Sequence, residues 1–180
     1  YSDEVGKIII TQIAQDLGAH YEAAAAYNSL GAVYGAQERC ELALECFQRS
    51  LDVRQKLGNL YEIGQSSTNM GTALSCLERW SDAEVRYKEA REIQERIGDR
   101  YGKAHTLQDL AWLYLDRGQM KAAKATFLNV LEHCEQIKDR IGVALVHGGL
   151  GTLYQRQEQW NEALDHLKQS ADLCEEVGAY

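Results

Sequence analysis

The chain has 180 residues, of which 45% are hydrophobic and 26% are charged, as is typical of globular proteins. Its 19 basic residues against 27 acidic ones give a formal net charge of -8, which disfavours a nucleic-acid or other phosphate-rich partner. Proline is absent, and abundant Ala, Leu, Glu, Gln and Arg favour helix throughout.

The cysteines and the apolar runs bear on the cellular compartment. Five cysteines form no Cys-x-x-Cys pair, and their odd number and scattered spacing are more typical of a reducing cytosol than of a disulfide framework. No run of 18 apolar residues predicts a membrane span, and no signal-like segment opens the chain. We therefore expect a cytoplasmic protein. Because the chain begins with Tyr rather than Met, we also expect it to be a fragment of a longer protein.

The first predicted elements are two helices. Residues 3–17 predict one helix, and apolar side chains at Tyr27, Leu30 and Tyr34 predict a second one over about residues 22–36. Their spacing of three and four places these side chains on one helical face.

A polar turn and a further helix complete a pattern that recurs every forty residues without a gap. The turns read AQERC, CLERW, DRGQM and RQEQW. The least variable column of the helix after each turn holds Ala43, Ala83, Ala123 and Ala163. A small side chain there lets two antiparallel helices approach closely. A link with Gly58, Gly98 or Lys138 then starts the next row, and glycine suits the left-handed conformation that often follows a helix.

Two short motifs identify the repeat. Leu30-Gly31 with Tyr34 precedes Ala43 with Phe47, and the later rows keep this pattern with substitutions. The pattern resembles the tetratricopeptide repeat, in which Leu-Gly-x-x-Tyr is followed by Ala-x-x-x-Phe. The resemblance implies an all-α fold, a right-handed α-solenoid of helix-turn-helix repeats with about nine helices. A period of forty rather than about 34 residues is similar to the arrays of spindle-orientation adaptors and of the sensors in signalling ATPases.

The register predicts a single array over residues 1–180. Its predicted parts are the second helix of a preceding repeat at 3–17 and four repeats at 18–57, 58–97, 98–137 and 138–177. The last helix has an apolar side, with Leu164 and Leu167, that no following helix covers. Terminal repeats normally have a polar outer face, so we expect further repeats, a cap, or self-association through this C-terminal helix.

The segment GDRYGKA, at residues 98–104, has the glycine and lysine of a phosphate-binding loop without its spacing. That loop needs four residues between its glycines and Ser or Thr after the lysine. Only three residues separate Gly98 from Gly102, and Ala104 follows Lys103. We interpret the segment as a turn between repeats.

The segment HGGLG, at residues 147–151, is similar to the oxyanion loop of some esterases, but no Gly-x-Ser-x-Gly elbow accompanies it. The register places it inside a first helix, with Gly151 in a column of small residues. Gly148 and Gly149 either permit close packing or open a hollow in the surface.

Neither a metal centre nor a catalytic group is predicted. The five histidines include no i, i+4 pair and no cysteine partner at zinc-site spacing. Opposite charges four residues apart on the second helices, such as Glu84 with Lys88, are typical of a solvated face. We expect no cofactor, no metal and no enzymatic activity.

The resemblance also implies that the first helices line a concave groove in which a ligand binds. The candidate groove residues are mostly polar or small: Asn28, Gln65, Thr68, Thr72, His105, Gln108, Trp112, Leu145, Gly148, Thr152, Gln155 and Arg156. They lack the lysine column with which some tetratricopeptide-repeat domains clamp acidic chaperone C-termini. They also lack the Leu-Gly-Asn of spindle-orientation adaptors.

Trp112 is the candidate anchor of a ligand, since its column holds small residues elsewhere and tryptophan is frequent at binding hot spots. His105 and Gln108 could bond a peptide backbone. The alternative is that Trp112 packs on a neighbouring first helix. Trp80 and Trp160 share another column and are interpreted as structural.

These features predict a non-enzymatic scaffold that binds a peptide or helix of a protein partner in the groove. The alternative is a ligand-sensing array of a larger signalling regulator, such as a signal-transducing ATPase. Neither function involves a nucleic acid or a membrane.

Overall fold

The structure, a computed structural model, describes the backbone of residues 2–178 and the side chains of residue 16 and residues 18–178. The backbone it describes forms eight α-helices and no strand, so the all-α fold is confirmed. The helices are α1 (Ser2–Ala36), α2 (Cys40–Leu57), α3 (Leu60–Cys76), α4 (Trp80–Ile97), α5 (Arg100–Asp116), α6 (Met120–Ile137), α7 (Arg140–Arg156) and α8 (Trp160–Val177). Within the part of the chain that the structure describes, no helix is long and apolar enough to cross a membrane.

The helix boundaries follow the forty-residue period. The second helices α2, α4, α6 and α8 begin at residues 40, 80, 120 and 160, and the first helices α3, α5 and α7 begin at 60, 100 and 140. The repeat boundaries predicted at residues 58, 98 and 138 each fall between a second helix and the next first helix, whereas residue 18 lies inside α1.

The described backbone has one helix fewer than about nine because residues 2–36 form one continuous helix. The later first helices begin with a capping side chain that accepts a backbone N–H three residues on, and these caps are Asn59, Asp99 and Asp139. Ala19 stands in the same column and has no acceptor to offer. Gly18 is not among the residues of positive φ, so no left-handed residue ends a helix there. Residues 18 and 19 therefore provide neither a C-cap that would end a helix nor an N-cap that would begin one.

The other connections all contain a residue in the left-handed conformation, spaced twenty residues apart. They are Glu38, Gly58, Glu78, Gly98, Gly118, Lys138 and Glu158, and Gly178 follows α8 in the same way. The sequence predicts this conformation for the column of Gly58 but not for the column of Glu38, where only Gly118 is a glycine. Lys138 has a φ of 58°, which costs a residue with a Cβ more than it costs glycine.

Packing divides the chain into two units, residues 1–86 and residues 87–180. In unit 1, α1 and α3 both contact α2. Phe47 and Leu51 of α2 share a core with Met70 and Ala73 of α3. This core is small, and polar contacts supplement it.

A buried charged pair joins α2 to α3 in unit 1. Arg54 is 4% exposed, and its Nε lies 3.3 Å from Oε2 of Glu62. Its Nη1 donates to Oγ of Ser66 at 2.8 Å and to the carbonyl of Glu62 at 3.2 Å. These partners offset the cost of taking the guanidinium out of water.

A disulfide joins the same two helices at their other ends. Cys40 at the start of α2 is bonded to Cys76 at the end of α3, with their Cα atoms 6.1 Å apart. The expectation that the cysteines are unpaired is therefore wrong for these two. Packing of adjacent helices brings together positions 36 residues apart, and no local motif reveals such a pairing.

Unit 2 has the larger apolar core. Phe127 and Val130 of α6 pack with Leu150 and Leu153 of α7, and all four are 0% exposed. Leu107 and Ala111 of α5 belong to the same cluster. Burial of this apolar area stabilises the α5–α6–α7 arrangement.

Candidate ligand-binding face

The candidate groove residues divide between the two units. Asn28 on α1 and the three candidates of α3 lie in unit 1, and the other eight lie on α5 and α7 of unit 2. Each group is described within its own unit.

In unit 1, two of the four candidates are engaged inside the fold. The Asn28 side chain is half-buried, and its Oδ1 accepts from Nδ2 of Asn69 at 2.9 Å. Thr68 is 5% exposed, and its hydroxyl donates to the carbonyl of Gly64 at 3.1 Å. Gln65 and Thr72 are exposed, and the Thr72 hydroxyl donates to the carbonyl of Thr68 at 3.3 Å. From this set, unit 1 presents the amide of Gln65 at its surface.

In unit 2, the eight candidates recur at helical spacing on two helices that contact each other. We call them the α5–α7 face: His105, Gln108 and Trp112 on α5, and Leu145, Gly148, Thr152, Gln155 and Arg156 on α7. His105 and Gln155 are exposed, and Gln108 is half-buried. Leu145 is 49% exposed, so an apolar side chain lies open among amides.

Arg156 holds the ends of the two helices together. Its Nη1 donates to the carbonyl of Leu115 and its Nη2 to Oδ1 of Asp116, each at 2.9 Å. The single cation of the face is therefore neutralised by a neighbouring carboxylate. The face offers no free positive charge to an acidic ligand.

Trp112 packs within its own repeat. It is half-buried, and its ring meets Phe127 of α6 edge to face, with ring centroids 5.5 Å apart and planes at 87°. Such aromatic pairs stabilise a fold by about 0.5–1.5 kcal/mol beyond area burial. The indole contacts the second helix of its repeat, which differs from the neighbouring first helix considered above. Its exposed part remains available at the surface.

The two glycines of HGGLG that the sequence leaves unexplained have different surroundings on α7. A Cβ on Gly149 would lie 2.5 Å from Cε1 of Phe127, so close packing accounts for this glycine. A Cβ on Gly148 would meet only Oγ of Ser170, at 3.5 Å. Gly148 is half-buried, and its missing side chain would point toward Ser170 of α8 without a close contact.

The segment GDRYGKA is the end of one helix and the start of the next. Gly98 has a φ of 73°, and Oδ1 of Asp99 accepts the N–H of Gly102 at 2.9 Å. Nζ of Lys103 lies 3.1 Å from Oε1 of Glu95. The segment is a turn between repeats, as its spacing predicts.

A histidine pair that the sequence does not reveal joins α7 to α8. Nδ1 of His147 lies 2.9 Å from Nδ1 of His166. Tyr154 stacks on His166 with centroids 5.3 Å apart, and Nζ of Lys124 lies 5.0 Å from the Tyr154 ring centroid. Burial, and then the neighbouring His166, lowers the pKa of His147, and burial lowers the pKa of His166.

No group of three or more His, Cys, Asp or Glu side chains that could hold a metal ion occurs among the described residues. The thiol of Cys134 on α6 is buried. Burial, with a smaller effect of Asp139, raises the pKa of its thiol to about 11. Such a thiol stays protonated and unreactive at neutral pH.

The chain matches the family described as tetratricopeptide repeat over residues 21–96, 62–128 and 113–176. No curated protein sequence matches it. BtubC from P. vanneervenii is a structural relative at 18% identity and a TM-score of 0.72, over 87% of this chain and 65% of BtubC.

Two other solved structures have the same fold. A Rap protein complexed with competence and sporulation factor is 15% identical, with a TM-score of 0.75 over 83% of this chain and 42% of that one. Aspartyl phosphate phosphatase F from Bacillus subtilis is 11% identical, with a TM-score of 0.80 over 88% of this chain and 42% of that one. This chain spans less than two thirds of all three proteins, and at these identities the likeness shows the fold alone.

Proposed function

Because the chain belongs to the tetratricopeptide-repeat family, we propose that it is a non-catalytic interaction module that binds a peptide or helix of a protein partner. The proposed binding surface lies on the first helices of unit 2, α5 and α7. The observation that supports this most directly is the α5–α7 face. There Leu145 is 49% exposed on the same side of α7 as Gln155.

The chemistry of this face defines the ligand. Gln108, Gln155 and His105 supply donors and acceptors that suit a peptide backbone. Leu145, with Gly148 beside it in the helical register, gives room for an apolar side chain. Since Asp116 neutralises Arg156, the ligand is not selected by an acidic terminus. We infer a neutral segment that combines backbone hydrogen bonds with one apolar anchor.

The test is a selection of peptides from a displayed random library on the folded chain. We expect the enriched peptides to bind the variant Leu145→Glu about tenfold or more weakly, because a carboxylate at the anchor position repels an apolar side chain. Leu128→Glu is the matched control, since Leu128 is 47% exposed on α6 and lies outside the face. Peptides that bind both variants as well as the original chain would place the site elsewhere.

A ligand-sensing array within a larger signalling regulator is the second candidate. It is favoured by the structural likeness to a Rap protein complexed with competence and sporulation factor, of which this chain spans 42%. A library that yields no binder to the α5–α7 face, together with a small ligand that raises the thermal stability of the chain, would favour this candidate.

A further inference from the structure

Helix α1 exposes a face that the other first helices bury. Leu30 and Val33 are 42% and 50% exposed. The residues forty further on, Met70 and Ala73, are 3% and 5% exposed in a core with side chains of α2. On α7 the same two columns hold Leu150 and Leu153, both 0% exposed in a core with side chains of α6. In these repeats the preceding second helix covers these columns, and on α1 the two side chains are open.

Helix α8 exposes the other half of such a contact. Trp160, Leu164 and Leu167 are 63%, 51% and 42% exposed. The column of Leu167 holds Phe47 and Phe127 on earlier second helices, at 6% and 0% exposure. Trp160 is therefore not enclosed by its repeat, contrary to the structural role expected for it. These three residues recur at spacings of four and three and form one apolar stripe along α8.

The exposed faces of α8 and α1 are equivalent to the two sides of an interface that the chain already forms twice. These two interfaces are α2 with α3 and α6 with α7. In it, Phe127 lies against Gly149, and Cys40 is bonded to Cys76. The forty-residue register carries these two pairs over to Leu167 with Ser29 and to Trp160 with Ala36. Ser29 and Ala36 are small and exposed, so they leave room for the larger partners.

The continuity of α1 leaves its face accessible. Because residues 2–36 form one helix, the part before residue 18 does not fold back over Leu30 and Val33 of the same chain. The occupant that fits this face is a second helix of this repeat type, and α8 presents one.

We propose that this chain associates head to tail, with α8 of one copy packed on α1 of the next. The contact is heterologous, so a pair still has one free face of each kind, and assembly continues beyond the dimer. The net charge of -8 on each copy opposes stacking, and added salt screens that repulsion. Assembly therefore strengthens as ionic strength rises. The contact uses no residue of the α5–α7 face and stands apart from the proposed ligand binding.

Sedimentation of the 180-residue chain over a concentration series tests this proposal. We expect the mass to grow beyond a dimer, and Val33→Glu or Leu167→Glu each to weaken association about tenfold or more.

Leu128→Glu is the control of equal chemistry and similar exposure, 47%, and should assemble as the original chain does. Circular dichroism must show equal helicity in all of them. Because Leu167 also touches its own α7, Trp160→Glu is a second α8 variant. Trp160 is 63% exposed and stands in a column that holds no charged residue.

Mixing the two blocked variants identifies the pairing. The Val33→Glu chain keeps its α8 and the Leu167→Glu chain keeps its α1, so together they should form a one-to-one dimer that grows no further. A monomer at every concentration would overturn the proposal. So would a dimer that stops growing and survives Val33→Glu, since that would show α8 pairing with α8.

A cross-link checks the register. Ala36→Cys and Trp160→Cys chains, mixed and exposed to oxidised glutathione, should form a disulfide-linked dimer with one chain of each kind. Their columns are those of Cys76 and Cys40, whose Cα atoms lie 6.1 Å apart. The two chains oxidised separately should not cross-link, and equal cross-linking in the separate samples would contradict the register.

Discussion

Cβ atoms on two adjacent glycines would meet opposite surroundings: one on Gly149 would lie 2.5 Å from the Phe127 ring, and one on Gly148 would find no atom closer than 3.5 Å. Phe127 is 0% exposed and cannot move aside without disturbing the core of unit 2. The two positions have the same helical backbone, so they form a natural control pair.

We expect Gly149→Ala to lower the free energy of unfolding by about 1–3 kcal/mol, because the added methyl overpacks the core. Gly148→Ala should raise it by up to about 1 kcal/mol, since alanine favours helix over glycine. Urea denaturation followed by circular dichroism measures both. Equal effects of the two substitutions would show that the Phe127 contact is not the cause.

The histidine pair predicts that stability falls in acid. Burial lowers the folded-state pKa of His147 and His166. Below the unfolded value of about 6.5, the unfolded chain therefore binds more protons than the folded one. The free energy of unfolding should decrease as the pH falls through that region. Lys124 of α6 adds to the repulsion of a protonated His166, and Asp165 of α8 opposes it.

The measurement is the difference in unfolding free energy between about pH 7.5 and about pH 5. His166→Gln should reduce this difference, because it removes one of the two groups. His20→Gln is the matched control, because it removes a histidine that is exposed on α1 and lies outside the pair. An unchanged difference in His166→Gln would assign the acid sensitivity to other groups.

Lys138 predicts a stabilising substitution. It ends α6 with a φ of 58°, in the left-handed region where glycine has no Cβ penalty. Lys138→Gly should raise the free energy of unfolding by about 1 kcal/mol. Lys168→Gly, in the interior of α8, should lower it by about as much. Thermal unfolding measures the stability of both variants. A loss of stability in Lys138→Gly would show that the left-handed backbone at Lys138 is not a source of strain.

The disulfide predicts a redox-dependent stability. The bond closes a loop with a sequence separation of 36, so removing it by Cys76→Ser should destabilise unit 1 by about 3–4 kcal/mol in the loop-entropy estimate. Reducing agent should destabilise the original chain and leave the variant unaffected. Cys174→Ser removes a free thiol and is the control. Insensitivity of the original chain to reduction would show that the bond does not support the fold.

The fold could be predicted because its information is local and repeated. Helical spacing and the alanine column recur every forty residues, and the helix boundaries follow them. The continuity of α1 could also be predicted, because Ala19 lacks the capping oxygen that Asn59 and Asp99 provide. The glycine at residue 18 points to a break instead, because glycine often follows the end of a helix.

The details of the candidate site depend on contacts between helices, which spacing does not encode. The burial of Thr68, the Trp112–Phe127 contact and the His147–His166 pair each depend on how side chains of different helices meet. The same holds for the pairing of Cys40 with Cys76. The repeat register assigns a residue to a helix face but does not show which side chain of a neighbouring helix it contacts.

The Arg54–Glu62 pair constrains how such an array can change by recombination. In the contact of α6 with α7, the same two columns hold Cys134 and Gly142. Deleting residues 58–97 would preserve the helix period yet place Gly102 where Glu62 stands, and a buried guanidinium that loses its carboxylate costs about 3–5 kcal/mol. A duplication that paired α6 with a copy of α3 would instead bury Glu62 against a thiol. The repeats are alike in backbone but not interchangeable in order. We expect a rearrangement of whole repeats to destabilise the array unless the residues on both sides of the junction change together.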